Sequence, residues 1–148
     1  ISYENGEQQV ILNGENITGF IRQETVGNMA SATSVYPVVR EKLVELQRQL
    51  AARENVVMDG RDIGTVVLPD ANVKIFLTAS SKVRAKRRFD ELTAKGDAIE
   101  KDIIERDHRD MTRETSPLKQ ADDAVLLDSS DMTIDEVVDR MKQLVKEA

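Results

Sequence analysis

The sequence predicts an α/β fold in which a small parallel sheet is covered by helices on both faces. Three observations carry that expectation. Short, largely apolar runs at Val56-Val57-Met58, Val73 to Leu77 and Ala124 to Leu127 each give way to polar or turn residues. Helix-compatible amphipathic stretches alternate with them. Apolar strands of this kind are what a parallel sheet covered on both faces presents. Three short strands make a small sheet, so at least one more strand is expected upstream. A chain of 148 residues can nevertheless bury a sizeable core.

Composition narrows the function classes. Hydrophobic residues at 40% and charged residues at 32% are ordinary for a soluble globular protein. With no cysteine, neither a disulfide framework nor a thiolate metal site can form, which fits a reducing cytoplasm. The longest apolar runs are far too short to span a bilayer. No signal peptide opens the chain, and it starts at Ile1 rather than Met, which points to a fragment or a processed product. A net charge of −6 with no tryptophan argues against a general nucleic-acid binder. One local exception stands out. Lys82, Arg84, Lys86, Arg87 and Arg88 are five basic residues in seven, with no acid among them, a patch suited to a small polyanion.

In chain order, Gln8 to Leu12 lies between two turn signals, Asn5-Gly6 and Asn13-Gly14, and Ile17 to Ile21 could form a further strand. This is a small antiparallel hairpin region, read as an insertion on the main body. Gly14-x-x-x-x-Gly19 has the glycine spacing of a phosphate loop, but Phe20-Ile21 stands where Lys-Ser/Thr is required, so it is discarded. Glu24 to Ser34 is helix-compatible. Pro37 suits a first helical turn, and Val39, Leu43, Leu46 and Leu50 form a stripe for burial. Ser80 or Ser81 can cap the helix that carries the basic cluster and ends near Lys95-Gly96. Asp97 with Glu100 resembles a capping box for a charged helix to about Glu114, stopped by Ser116-Pro117. Thr133 with Glu136 caps a last helix, whose apolar face holds Ile134, Val137, Val138, Met141, Leu144 and Val145.

The most informative stretch is Asp59-Gly60-Arg61-Asp62-Ile63-Gly64-Thr65, at the carboxyl end of the first expected strand, where open α/β sheets hold ligands. Asp59 and Asp62 offer acceptors and Arg61 a forked donor, while Gly60 and Gly64 let the backbone turn sharply. An Asp-Gly turn capped by surface charge has the same composition. Further on, Arg106, Arg109, Asp110 and Arg113 share one helix face, as do Arg84, Arg87 and Arg88 on the preceding helix. Solvated salt bridging accounts for either face alone, with Glu105, Asp107 and Glu114 as partners. Two successive arginine faces could instead close over a polyphosphate as a lid. Arg40 lies off the apolar stripe and reads as a solvated charge. His108 has no Gly-x-Ser-x-Gly elbow to serve and reads as a surface residue. No spaced Asp/His set suggests a metal cage, although magnesium bridging phosphates needs little protein ligation.

Three segments resemble the bacterial cytidylate kinases. They are Asp59-Gly60-Arg61-Asp62-x-Gly-Thr; Val73-Lys74-Ile75-Phe76-Leu77-x-Ala-Ser-Ser-x-x-Arg-Ala-x-Arg-Arg; and Glu105-Arg106-Asp107-x-Arg109-Asp110-x-x-Arg113. Ala30-Ser31 and Tyr36-Pro37-Val38-Val39-Arg40-Glu41 are similar to the same family, and the hairpin region resembles its monophosphate-binding insert. The likeness covers essentially the whole chain in the family's order. No one motif is decisive, but the ordered set is specific.

The resemblance implies a kinase of the P-loop type that transfers the ATP γ-phosphoryl group to CMP or dCMP with magnesium. It implies base contacts from Ser31, Arg40 and Asp62, phosphate contacts from Arg61 and Arg113, and sugar contacts from Arg106 and Asp110. Arg84, Arg87 and Arg88 would belong to a lid over the transferring phosphates. The chemistry agrees, because a carboxylate accepts from the cytosine amino group and disfavours the O4 acceptor of uracil. Clustered arginines neutralise charge spreading in phosphoryl transfer. Residues 1–52 are read as the monophosphate-binding insert and 53–148 as the C-terminal part of the core, with a lid at about 81–117. The expected partners are small nucleotides, with no nucleic acid or membrane, in a cytoplasmic monomer. The family's Gly-rich phosphate loop, its Lys and hydroxyl residue, and the first strand have no counterpart in this sequence. The chain is therefore expected to be inactive or nearly so by itself. Two alternatives stay open: a non-catalytic nucleotide-binding or regulatory module, and a different nucleoside monophosphate kinase.

Overall fold

A computed structural model describes residues 2–21, 23–92 and 96–148, with the side chains of residues 24, 91, 92 and 96–99 outside the description. It is a mixed α/β structure with two compact units, Ile1–Leu43 and Val44–Ala148.

The first unit opens with two hairpins. Strands β1 (Ser2–Glu4) and β2 (Glu7–Gln9) pair antiparallel, as do β3 (Ile11–Leu12) and β4 (Glu15–Asn16). Asn5, Gly6, Asn13 and Gly14 all have φ between 51° and 87°. Consecutive left-handed residues are what the tight two-residue hairpin needs, and Asn-Gly supplies them cheaply. The run Gln8 to Leu12 is thereby divided between the two hairpins. The strand considered at Ile17–Ile21 does not form. The Ile17 carbonyl accepts from the N–H groups of Phe20 and Ile21, so the chain turns there. Thr18 Oγ1 meanwhile accepts from Val10 N at 2.8 Å, a side-chain bond that competes with a ladder. Helix α1 (Glu24–Thr33) follows as expected.

Helix α2 (Pro37–Ala51) begins at the anticipated proline. Its stripe is less buried than expected, with Val39, Leu43, Leu46 and Leu50 between 38% and 49% exposed. Helical spacing fixes which residues share a face, not that a neighbour covers it.

In the second unit, β5 (Ile75–Thr78) and β6 (Val125–Asp128) pair in parallel, with Ile75 opposite Val125 and Thr78 opposite Asp128. The third expected strand, Val56–Met58, joins no ladder among the described residues, and Val57 is fully exposed. A strand requires a hydrogen-bonded neighbour, which an apolar run cannot reveal. The Ala124–Leu127 run is buried only at Leu127, with Val125 and Leu126 exposed.

Helix α3 (Ser81–Leu92) starts from Ser80, whose Oγ accepts from Val83 N. Its expected end at Lys95 lies outside the described residues. Helix α4 (Gly96–Thr112) begins one residue before the expected cap Asp97, whose side chain is also outside them; Glu100 accepts from Ser81 Oγ at 3.0 Å. The last helix, α5 (Ile134–Glu147), has the complete Thr133/Glu136 capping box. On its apolar face Leu144 is buried, while Ile134 and Val145 remain exposed. Val67, Ala79, Ala85, Leu127 and Leu144 make the buried apolar set of this unit.

Candidate functional site

The segment after Met58 is shaped by close approach. Neither Gly60 nor Gly64 has a positive φ, so the expected sharp glycine turn is not how they serve. A Cβ on Gly60 would stand 2.9 Å from Ile63 Cγ1, whereas one on Gly64 would make only an ordinary contact with the Lys74 stem at 3.4 Å. The smallness of Gly60 lets the Ile63 side chain lie against the backbone there.

It then enters a five-residue helical turn, Ile63–Val67, preceded by Asp62. The Asp62 carbonyl accepts from Val66 N at 2.8 Å and Val67 N at 3.2 Å. Its side chain belongs to a residue only 8% exposed. A carboxylate kept this dry calls for hydrogen-bond donors, and Asp62 is not without a partner.

Arg61 reaches α4. Its Nε donates to Asp110 Oδ2 at 3.0 Å. Arg106 approaches the same oxygen at 4.0 Å, and Arg113 Nη1 lies 3.5 Å from Asp110 Oδ1. Helical spacing brings residues 106, 110 and 113 to one face; the Gly60–Asp62 segment adds Arg61. The end of α4 is locked by local bonds. Leu118 N donates to the Asp110 carbonyl at 2.7 Å, and Arg113 Nε donates to the Ser116 carbonyl at 2.7 Å, with Ser116 at φ 52°.

Three guanidinium groups thus surround one carboxylate that is 7% exposed at the residue level. The cations outnumber the acid, and the cluster's field favours a further anion. Burial, and then the Arg61 charge, push the Arg106 guanidinium below its ordinary value, while Asp110 opposes them. An incoming dianion would relieve that repulsion.

The expected lid arginines have protein partners. Arg84 grips Asp107 in a fork, Nη1 to Oδ1 at 3.0 Å and Nη2 to Oδ2 at 2.6 Å, and Nε donates to the Ala79 carbonyl. Arg87 Nη1 and Nη2 donate to Ser129 Oγ and its carbonyl at 3.1 and 2.5 Å. Ser129, almost fully buried, donates in turn to the Thr78 carbonyl, so α3 is anchored at the ends of β5 and β6. Arg88 is half-buried. Ser129 did not stand out in the sequence, because a serine after a strand looks like any turn residue. Asp107 did, but only as one of three candidate salt-bridge acids.

Ser31 and Arg40 belong to the first unit, and each is half-buried. They converge on Ser34, whose Oγ donates to the Ser31 carbonyl at 2.9 Å and whose carbonyl accepts from Arg40 Nη1 at 3.4 Å. His108 is exposed on α4. Among the described residues, no group of three or more His, Cys, Asp or Glu is placed to hold a metal ion. None of their helices is long and apolar enough to cross a membrane.

The profile of a family described as Cytidylate kinase matches residues 1–147. A cytidylate kinase of Lactobacillus johnsonii is 50% identical over 148 residues, covering 97% of this chain and 64% of its own length. One from Caldicellulosiruptor saccharolyticus is 51% identical over 144 residues, covering 94% and 64%. One from Streptococcus pneumoniae is 51% identical over 144 residues, covering 94% and 65%. The chain thus spans slightly less than two thirds of the length of these curated relatives.

Proposed function

The chain belongs to the cytidylate kinase family, and we propose that it forms the CMP-binding and lid portion of an enzyme that phosphorylates CMP or dCMP at the expense of ATP. In this reading residues 1–52 are the monophosphate-binding insert, and 53–148 complete a P-loop-kinase core whose parallel sheet has helices on both faces. The lid spans about 81–117, and the whole enzyme works in the cytoplasm as a monomer.

The observation that carries the reading is the gathering of Arg61, Arg106 and Arg113 around Asp110. A nucleoside monophosphate brings a compact, nearly dianionic group of the size that two or three guanidiniums can grip in bidentate fashion. Arg61 and Arg113 hold the CMP phosphate, while Arg106 and Asp110 reach the sugar. Asp62, with Ser31 and Arg40, reads the cytosine edge: a carboxylate accepts from the 4-amino group and repels the O4 of uracil. An oxygen of the CMP phosphate attacks the ATP γ-phosphorus, the bond to the β–γ bridging oxygen breaks, and ADP leaves. The protein's part is to align the two phosphates and balance their charge. Arg84, Arg87 and Arg88 contribute from the lid. Magnesium, if bound with the nucleotides, would supply further charge neutralisation.

The test is ADP release by the complete protein with CMP, dCMP, UMP or AMP as acceptor. Turnover with CMP and dCMP well above UMP is expected. Nucleotide binding without turnover would establish a non-catalytic module instead, and equal use of UMP would remove Asp62 from base reading.

A further inference from the structure

Arg48, on α2, has none of the roles assigned above. Its guanidinium reaches the Ile63–Val67 turn, where Nη2 donates to the Val66 carbonyl at 2.7 Å and Nε to the Val67 carbonyl at 2.9 Å. Terminal carbonyls of a short helix are left over by its internal bonding and need an outside donor. The planar fork of arginine can serve two neighbouring carbonyls at once, which a lysine ammonium does less well.

The connection to the site is short. The Val66 carbonyl and the Val67 N–H belong to the same planar peptide unit. That N–H donates to the Asp62 carbonyl, and the Val66 N–H donates to it as well. One rigid peptide therefore stands between the Arg48 cation and the Asp62 backbone. A cation at its oxygen also strengthens the donor at its nitrogen. The Val67 side chain, 1% exposed, pins the same turn by packing.

We infer that Arg48 is a positioning residue: through the Val66–Val67 peptide it fixes the backbone from which Asp62 and Arg61 project. Its effect on nucleotide choice rests on the proposed base-reading role of Asp62; its effect on the turn does not.

The experiment uses the complete protein with Arg48→Met, which keeps the stem and removes the donors, and Arg48→Lys, which keeps the charge but not the fork. Amide hydrogen exchange is followed at Val66, Val67 and, as a remote control, Val137 on α5. CMP and UMP affinities are measured alongside, in the parent and in an Asp62→Ala background. In Arg48→Met, Val67 exchange should accelerate by about tenfold, with Val137 unchanged and the CMP-over-UMP preference reduced by about tenfold. Arg48→Lys should fall between, and Arg48→Met should remove no further preference once Asp62 is gone. Unchanged Val67 exchange would overturn the inference. So would equal acceleration at Val137, which marks general destabilisation, or an undiminished Arg48→Met effect on preference in the Asp62→Ala background. If Asp62→Ala alone leaves the preference intact, the base-reading proposal fails, and Val67 exchange still decides the role of Arg48.

Discussion

Asp110 Oδ2 accepts from Arg61 Nε at 3.0 Å and so ties α4 to a segment 49 residues earlier in the chain. The carboxylate is also the shared counter-ion of Arg106 and Arg113. Asp110→Ala would leave three guanidiniums facing one another without it. Breaking a buried pair costs about 3–5 kcal/mol, but the Arg61 and Arg106 side chains are 42% and 45% exposed, so about 2–3 kcal/mol is expected. Urea unfolding at low salt measures this. Added salt should recover part of the loss by screening the arginines, and an unchanged midpoint would contradict the central place given to Asp110.

Arg113 is held from both sides, by Asp110 and by the Ser116 carbonyl, so its guanidinium is set before any ligand arrives. A phosphate contact does not depend on the base. Arg113→Ala in the complete protein should weaken CMP, dCMP and UMP by similar factors, on the order of 10–100-fold for a charge-assisted contact of about 1.5–3 kcal/mol. Titration calorimetry with the three nucleotides checks it. A loss confined to CMP would take Arg113 off the phosphate.

What could be read from sequence divides along physical lines. Features set by a few neighbouring residues were legible. The Asn5-Gly6 and Asn13-Gly14 turns, Pro37 at the start of α2, and the Thr133/Glu136 capping box all depend on local stereochemistry. The grouping of Arg106, Asp110 and Arg113 followed from helical period alone. Features that need a distant partner were not legible. Val56–Met58 has strand composition but no neighbouring strand among the described residues, and the α2 stripe has the right period without the expected burial. Arg48 carried no signal in the sequence, because only the folded chain shows that two carbonyls some eighteen residues on lie within its reach. The bland reading of the arginine faces also had substance: Arg84 does pair with Asp107.

Asp62 combines a nearly buried carboxylate with a backbone carbonyl fixed by two N–H donors. If it reads cytosine, Asp62→Ala should lower the CMP-over-UMP preference by about 1–3 kcal/mol of discrimination, chiefly through weaker CMP. Competition binding with both nucleotides would show it. If Arg61 and Arg113 hold the phosphate, affinity for inorganic phosphate should stay close to the parent's. A preference that survives the substitution would transfer base reading to Ser31 and Arg40.

The capping box of α5 gives a pH prediction outside the site. Glu136 Oε2 accepts from Thr133 N and Thr133 Oγ1, both at 2.8 Å. The backbone bond first, and the hydroxyl bond second, hold the Glu136 carboxyl below its ordinary value of 4.5. A depressed folded value means that the fold favours the ionised form. The contribution is therefore present above the unfolded value and is lost as pH falls through the folded one. Glu136→Gln removes that titration while keeping an acceptor in place. Melting temperatures followed from about pH 7 down to about pH 3 should fall less steeply for the variant at the acid end. They should not become flat, because Asp123, bonded to Lys74, and Asp128, bonded to Ser130, are lowered in the same direction. At neutral pH, Thr133→Ala should cost about 1 kcal/mol by removing the cap acceptor. Identical acid slopes for parent and Glu136→Gln would mean that the box forms no stronger bond to the charged carboxylate than to a neutral amide.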